Sequence, residues 1–287
     1  MEKGTKDTKG IKGNLYLIAT PIGNMDDISP RAVEILNSVS LVAAEDTRVT
    51  GNLLKKLDIK KPLISYYEHN SSMREEKLIS TLLDGNDVAV VSDAGTPAIS
   101  DPGENIVKAC IENEIEVFPI PGPCAFVCAL IVSGFSTKSF TFVGFLPSKD
   151  SQRELELKKY CDNNETLIFY EAPHRLLKTL NSMKDIFGGE RNVSISREIT
   201  KKFEEHKHFN LNDACQYYEN NSIKGEFVIV VEGNKNEKTE SVCFNSLEEH
   251  LKHYTDTGIS KNEAIKMVAK DKNVNKREIY DYFKKDK

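Results

Sequence analysis

Two acidic clusters and a set of clustered cations are the residues of this chain best suited to chemistry. The first cluster is Ser92-Asp93-Ala94-Gly95-Thr96-Pro97, which follows the apolar run of residues 87–91 and precedes Asp101-Pro102-Gly103. A carboxylate on a glycine-rich turn at a strand end suits a ligand that offers amines, hydroxyls or positive charge. It does not suit a phosphate. No Lys-Ser/Thr pair follows the glycines and no G-x-G-x-x-G is present, so the P-loop and dinucleotide patterns are excluded. The second cluster, Glu45-Asp46-Thr47-Arg48, pairs two carboxylates with a cation. Adjacent carboxylates at a strand end point in different directions, which disfavours a glycosidase-type acid/base pair. The chain lacks a G-x-S-x-G elbow and an H-E-x-x-H helix. What remains is the alignment of a reactive donor beside an acceptor, where proximity and orientation supply much of the catalysis.

The elements that must position these residues alternate between strand and helix. Residues 15–19, 39–44, 87–91 and 115–119 read as strands. Ser29-Pro30 is an N-cap followed by a proline at the first helical position, Ser72-Met73-Arg74-Glu75 is a capping box, and residues 104–113 are helical. This alternation predicts a parallel, doubly wound sheet. The right-handed crossover rule then brings the segments at 20–24, 45–48, 92–97 and 119–123 to one sheet edge. Beyond a small-residue helix at 125–132, strands at 140–143, 166–170, 193–196 and 226–231 recur unevenly around helices at 152–160 and 176–187. That spacing predicts a second α/β domain with a mixed sheet. A polar linker at 234–240 leads to two short capped helices, opened by Ser260-Lys261-Asn262-Glu263 and Asn275-Lys276-Arg277-Glu278, with the layout of a helix-turn-helix. The expected organisation is a tail at 1–13, an α/β domain at 14–121, a second at 122–236, and a helical module at 237–287.

The composition is that of an ordinary soluble globular protein. Of 287 residues, 39% are hydrophobic and 29% charged, and the net charge is −5. That balance argues against a protein devoted to coating nucleic acid, while leaving room for a local basic face. The lysine-rich tail at 1–13 has no apolar signal core, and no apolar run is long enough to span a bilayer, so a cytoplasmic protein without membrane contact is expected. Six cysteines without a C-x-x-C pair read as reduced thiols. His206 with His208, and His250 with His253, have ligand-like spacing but no completing partner, so no metal is expected.

Taken together, the motifs resemble one family. Ala19-Thr20-Pro21-Ile22-Gly23-Asn24, Ala44-Glu45-Asp46-Thr47-Arg48, the acidic loop at 92–97, Pro121-Gly122-Pro123-Cys124-Ala125, Tyr170-Glu171-Ala172-Pro173-His174-Arg175 and Arg197-Glu198-Ile199-Thr200-Lys201-Lys202-Phe203-Glu204 are similar to the signatures of a tetrapyrrole-methylase-like group. Its members methylate the ribose 2′-hydroxyl of a cytidine in 16S rRNA of the small ribosomal subunit. The resemblance spans nearly the whole chain after residue 13. It implies S-adenosylmethionine as donor, bound between the two α/β domains, and a homodimer. By resemblance, Pro21, Asp93, Ala94, Gly95, Thr96, Pro97, Cys124 and Ala125 line the donor site, Tyr170 closes it, and Cys124 is a contact residue rather than a nucleophile.

The acceptor hydroxyl is a poor nucleophile, so a base or a cation beside the developing alkoxide would assist. Asp46 and Lys201 are the expected catalytic pair, with Glu45 and Glu204 as alternates. Arg48, Arg175, Arg197 and Lys202 are expected to hold RNA. Two other readings start from the same residues: a methyltransferase acting on a tetrapyrrole or corrin carbon, and a nucleic-acid-binding regulator reading DNA with its last fifty residues. The Glu45-Asp46-Thr47-Arg48 motif fits the RNA branch better, and the acidic residues interspersed in the helical module weaken the DNA reading.

Overall fold

The computed structural model describes residues 11–67, 71–235, 246–272 and 274–283. The chain divides into two compact units, Met1–Asn234 and Lys235–Lys287. The first unit contains two five-stranded sheets.

Strands β1 (Leu15–Ile18), β2 (Leu41–Ala44), β3 (Leu63–Ser65), β4 (Val88–Val91) and β5 (Val117–Ile120) form the first sheet in the order β3-β2-β4-β1-β5. Every pairing in it is parallel. Its strands are apolar on both faces, as a sheet covered on both sides requires. Leu15, Ala43, Val88 and Val90 pack under α3 (Ser71–Leu83) and α4 (Glu104–Glu112). Ile18, Val42, Ala44, Ala89 and Val91 pack under α1 (Pro30–Ser38) and α2 (Thr47–Lys56). Ser29 caps α1 by accepting from the Ala32 amide, with Pro30 at the first helical position. Because the strands run parallel, the segments that leave β1, β2, β4 and β5 emerge at one edge.

Strands β6 (Phe140–Phe145), β7 (Thr166–Glu171), β8 (Asn192–Arg197), β9 (Glu205–Asn210) and β10 (Phe227–Val231) form the second sheet in the order β6-β7-β10-β8-β9. The β6–β7 pair is parallel and the other three are antiparallel, so the sheet is mixed, as expected. One face, with Phe169, Ile195, Ile229 and Val231, packs on α6 (Asp150–Lys158), α7 (Leu176–Phe187) and α8 (Leu211–Asn220). The other, with Ile168, Val228 and Val230, packs on Ala129 and Leu130 of α5 (Ala125–Val132).

The structure corrects the reading in several places. Helix α2, strands β3 and β9, and helix α8 were not read from the sequence. The β9 segment Glu-His-Lys-His-Phe-Asn is polar because it is an edge strand paired only with β8. The strand expected at 193–196 runs from 192 to 197 and does not continue into 198–202. β8 stops at Arg197, and Glu198 and Thr200 turn the chain with φ of 51° and 66°.

The second unit has three helices rather than two among its described residues: α9 (Leu247–Asp256), α10 (Lys261–Asp271) and α11 (Lys276–Tyr282). Leu251, Ala264, Ile265, Val268 and Ile279 form its core. Ser260 caps α10 reciprocally with Glu263. Most of the expected linker at 234–240 lies outside the described residues.

Candidate active site

A cleft of about 510 Å³ opens within the first unit and is lined from both sheets. The first sheet contributes Ile22 after β1, Glu45 after β2, and Asp93, Ala94, Gly95, Thr96, Ile99, Ser100 and Asp101 after β4. Cys124 and Ala125 enter at the start of α5. The second sheet contributes Phe145, Tyr170, Glu171 and the segment Glu226-Phe227-Val228, with Ala172, Pro173 and Ile199 from adjoining turns.

Backbone hydrogen bonds fix the acidic loop. Thr20 and Gly95 exchange both amide-to-carbonyl bonds, at 2.8 and 3.1 Å, and the Thr20 hydroxyl donates to the Ser92 carbonyl. The Thr96 hydroxyl donates to the Pro123 carbonyl at 3.1 Å, tying this loop to the start of α5. Ala98 and Ser100 are held at φ of 66° and 61°, a conformation that costs of order 1–3 kcal/mol each and persists where the surroundings over-determine it. That turn brings Asp101 back into the cleft.

The cleft is acidic. Among the described residues its lining includes Glu45, Asp93, Asp101, Glu171 and Glu226, and no Lys, Arg or His. Burial and the neighbouring Glu45 and Asp93 carboxylates push Asp101 up to about 6. Burial also raises Glu45, against a hydrogen bond from the Asp93 amide. The Asp93 carboxylate accepts from the Asp46 amide at 2.9 Å, so the two acidic motifs are joined directly.

The expected residues separate into two groups. Asp93, Ala94, Gly95, Thr96, Cys124, Ala125, Tyr170 and the alternate Glu45 line the cleft; Pro21 and Pro97 adjoin it without lining it. Asp46 faces away. It caps α2 and chelates its own Arg48, and the guanidinium lowers it to about 2. Lys201 is bound to two carboxylates, Glu198 at 2.9 Å and Glu226 at 2.8 Å; although burial opposes it, these partners hold it above its ordinary range. Glu204 accepts from the Thr200 amide and pairs with His206.

Among the cations, Arg175 stands 3.2 Å from the fully buried Glu171 carboxylate and donates to the carbonyls of Leu146 and Pro147. Glu171 also accepts from Thr179 and from the Ala172 amide. This cluster braces the turn after β7 against the turn after β6. Arg197 is engaged by the Lys224 carbonyl and Glu205. Lys202 extends over the ring of Phe203.

Asp101, Phe145, Glu226 and Val228 line the cleft without having been assigned to it from the sequence. Asp101 carried a signal, as the acid of Asp-Pro-Gly one turn after the first motif, and Phe145 and Glu226 stand in the family-like segments Gly144-Phe145-Leu146-Pro147 and Gly225-Glu226-Phe227. Val228 carried none, because an apolar residue facing a cleft has the same local pattern as one facing the core.

The two-sheet architecture with its shared cleft defines a methylase class. The chain belongs to the tetrapyrrole (corrin/porphyrin) methylases, whose family model matches residues 14–215. Within that family it is similar to ribosomal RNA small subunit methyltransferase I of Halalkalibacterium halodurans, at 48% identity over 275 residues and 95% of both chains. It is also similar to the protein of that name from Bacillus subtilis, at 44% identity over 279 residues, 96% of this chain and 95% of the relative. Two crystal structures share the fold at low identity. The uroporphyrin-III-C-methyltransferase of Thermus thermophilus matches with a TM-score of 0.52 and 18% identity, over 77% of this chain and 92% of that one. The methyltransferase CobJ matches with a TM-score of 0.58 and 16% identity, over 77% and 94%.

Proposed function

We propose that this protein transfers a methyl group from S-adenosylmethionine to the ribose 2′-hydroxyl of a cytidine in 16S rRNA of the small ribosomal subunit. The observation that carries the reading is a cleft with five carboxylates and no cation among its described lining residues, in a chain 48% identical to an rRNA methyltransferase across 95% of its length. The residues present fit the donor. Its sulfonium and ammonium call for acceptors, its adenine for apolar walls such as Ile22, Ala125, Val228 and Tyr170, and its close approach for the small residues Ala94 and Gly95. The donor supplies an electrophilic methyl group; this chain's residues orient it and take up the proton that the acceptor hydroxyl releases.

Asp101 and Glu45 are the carboxylates best suited to accept that proton. Both face the cleft, and burial raises both toward the pH at which a base is effective. Asp46 then acts one step removed, through its amide contact with Asp93, and Lys201 through its hold on Glu226. Residues 14–121 and 122–236 act as two lobes on either side of the donor, and the module at 237–287 adds grip on the subunit. The exposed apolar residues Val127, Ile131 and Val132 of α5 support a homodimer, and the same reading places the enzyme in the cytoplasm with its ribosomal substrate. No helix among the described residues is long and apolar enough to cross a membrane.

The test is mass spectrometry of 16S rRNA from cells lacking the protein. The expected result is one lost ribose methyl on a cytidine, restored by the wild-type gene. Unchanged ribose methylation overturns the reading.

A further inference from the structure

Resting on that reading, we propose that Phe203 and Lys202 form a docking plate for an unpaired RNA nucleotide at the rim of the cleft, the ring stacking on its base and the ammonium taking its phosphate.

The electrostatics of the cleft restrict where RNA is gripped. Two of the five carboxylates in the lining, Glu171 and Glu226, are paired with Arg175 and Lys201. Glu45, Asp93 and Asp101 face the cleft with no cation among its described lining residues; they repel phosphates, so the strand must be held outside it. The turn at 198–204 lies at that rim. Its Ile199 lines the cleft, and its Lys201 holds Glu226, which lines it too.

The turn is stiff. Lys201 and Glu204 donate their amides to the carbonyls of Glu198 and Lys201, the Thr200 amide donates to the Glu204 carboxylate at 3.0 Å, and two residues are held at left-handed φ. The stem of Lys201 lies against Gly23 of the first sheet's edge. Its other charged groups are occupied: Arg197 by Glu205, Lys201 by Glu198 and Glu226, Lys207 by Glu205, and Glu204 by His206. Lys202 pairs with no carboxylate among the described residues. Its ammonium sits 5.7 Å from the centre of the Phe203 ring, and Phe203 is 66% exposed.

An aromatic ring held out on a rigid turn beside one uncommitted cation matches what an unstacked nucleotide needs. Sequence-specific RNA binding proceeds through splayed bases stacked on aromatic rings, with phosphate contacts beside them. A rigid plate also loses little freedom when the base arrives. A ribose hydroxyl that must reach a donor inside a cleft requires its nucleotide to leave the helix, and a stacking surface at the rim stabilises that state.

The experiment compares Phe203→Ala, Phe203→Trp and Lys202→Ala with wild type, measuring the KM for small ribosomal subunits and the Kd for S-adenosylmethionine. Loss of one base stack predicts a roughly ten- to hundredfold rise in KM for Phe203→Ala, with donor Kd unchanged and KM recovered in Phe203→Trp. Lys202→Ala should raise KM and make it less sensitive to salt. An unchanged KM in Phe203→Ala, or a parallel loss of donor affinity, overturns the proposal. The chain has no tryptophan, so Phe203→Trp is also a single-site fluorophore. Single-stranded RNA should quench it and S-adenosylmethionine alone should not. If the wild type methylates no subunits, the functional reading fails, and this quenching decides the docking plate by itself: quenching sustains it, and its absence overturns it.

Discussion

The side chain of Lys201 occupies the space beside Gly23: a Cβ built on that glycine would stand 2.3 Å from the lysine Cγ. The turn after the second sheet's β8 thereby closes over the turn after the first sheet's β1. Adding a methyl at 23 forces the lysine to swing, which disturbs its bonds to Glu198 and Glu226. Gly23→Ala is expected to weaken donor binding severalfold. The same change in a Lys201→Ala background should cost less, a coupling of about 0.5–3 kcal/mol in a double-mutant cycle read by calorimetry. Strictly additive effects would separate the two turns.

Asp101 is expected to trade stability for activity. Its folded pKa of about 6 exceeds the ordinary 3.8, so the folded state keeps a proton that the unfolded state releases between those values. The penalty is absent below about pH 4, grows as the pH rises, and is complete above about 6. Asp101→Asn should therefore stabilise the protein near pH 7.5 by about 1–2 kcal/mol, after allowing for solvent screening, and give no gain at pH 4. Methyl transfer should fall by roughly a hundredfold or more, and the acidic limb near pH 6 in the wild-type rate profile should vanish. Denaturant melts at the two pH values, with rates across pH 5–8, check both halves.

Arg175 is expected to matter through folding rather than through phosphate contact. Removing it leaves the fully buried Glu171 carboxylate without its counter-ion. Truncating one partner of a buried pair costs about 3–5 kcal/mol, and the bonds from Thr179 and the Ala172 amide keep this case at the lower end. Arg175→Ala should lower the urea midpoint markedly while leaving the salt dependence of subunit binding unaltered. A flatter salt dependence with an unchanged midpoint would restore Arg175 to the RNA contacts.

Tyr170 acts as a tertiary cap. Cys124, the N-cap residue of α5, makes no side-chain cap bond, and the Tyr170 hydroxyl instead accepts from the Phe126 amide at 3.2 Å. Tyr170→Phe orphans that amide and is expected to cost about 1 kcal/mol, the usual worth of a lost helix cap. Cys124→Ser should recover part of that loss in the Tyr170→Phe background, because serine can cap the helix locally. Thermal unfolding of the single and double variants measures the recovery; a double variant no more stable than Tyr170→Phe argues against the cap.

The apolar face of α5 provides a test of assembly. Ile131 is 68% exposed, with Val127 and Val132 also exposed on the same short helix. On the proposed homodimer, wild type should scatter light as a dimer and Ile131→Glu as a monomer, without a lower denaturation midpoint; a monomeric wild type, or a dimeric Ile131→Glu, would remove α5 from the interface.

The sequence alone determined that the first sheet is parallel, that the second is mixed, and which residues stand at the ends of β1, β2, β4 and β5. All follow from local rules: apolar runs of strand length, helix caps at Ser29-Pro30, and turns rich in glycine and proline. Those rules placed the loop at 92–97 at the sheet edge, and the family resemblance added Cys124, Ala125 and Tyr170; Asp93, Gly95, Thr96, Cys124, Ala125 and Tyr170 all reach the cleft. Only the tertiary structure decided what the charged residues do. Asp46 and Asp93 follow equivalent strands in similar motifs, yet one is spent on Arg48 and a helix cap while the other faces the cleft. Arg175 and Lys202 are both cations beside a cleft turn, yet a buried glutamate engages the first and the second stands free of carboxylate partners among the described residues. A carboxylate or a cation is assigned its role by partners far away in the chain, and burial sets how strongly those partners act. The pairing of Lys201 with Glu226, 25 residues away, has no trace in the local pattern of either residue.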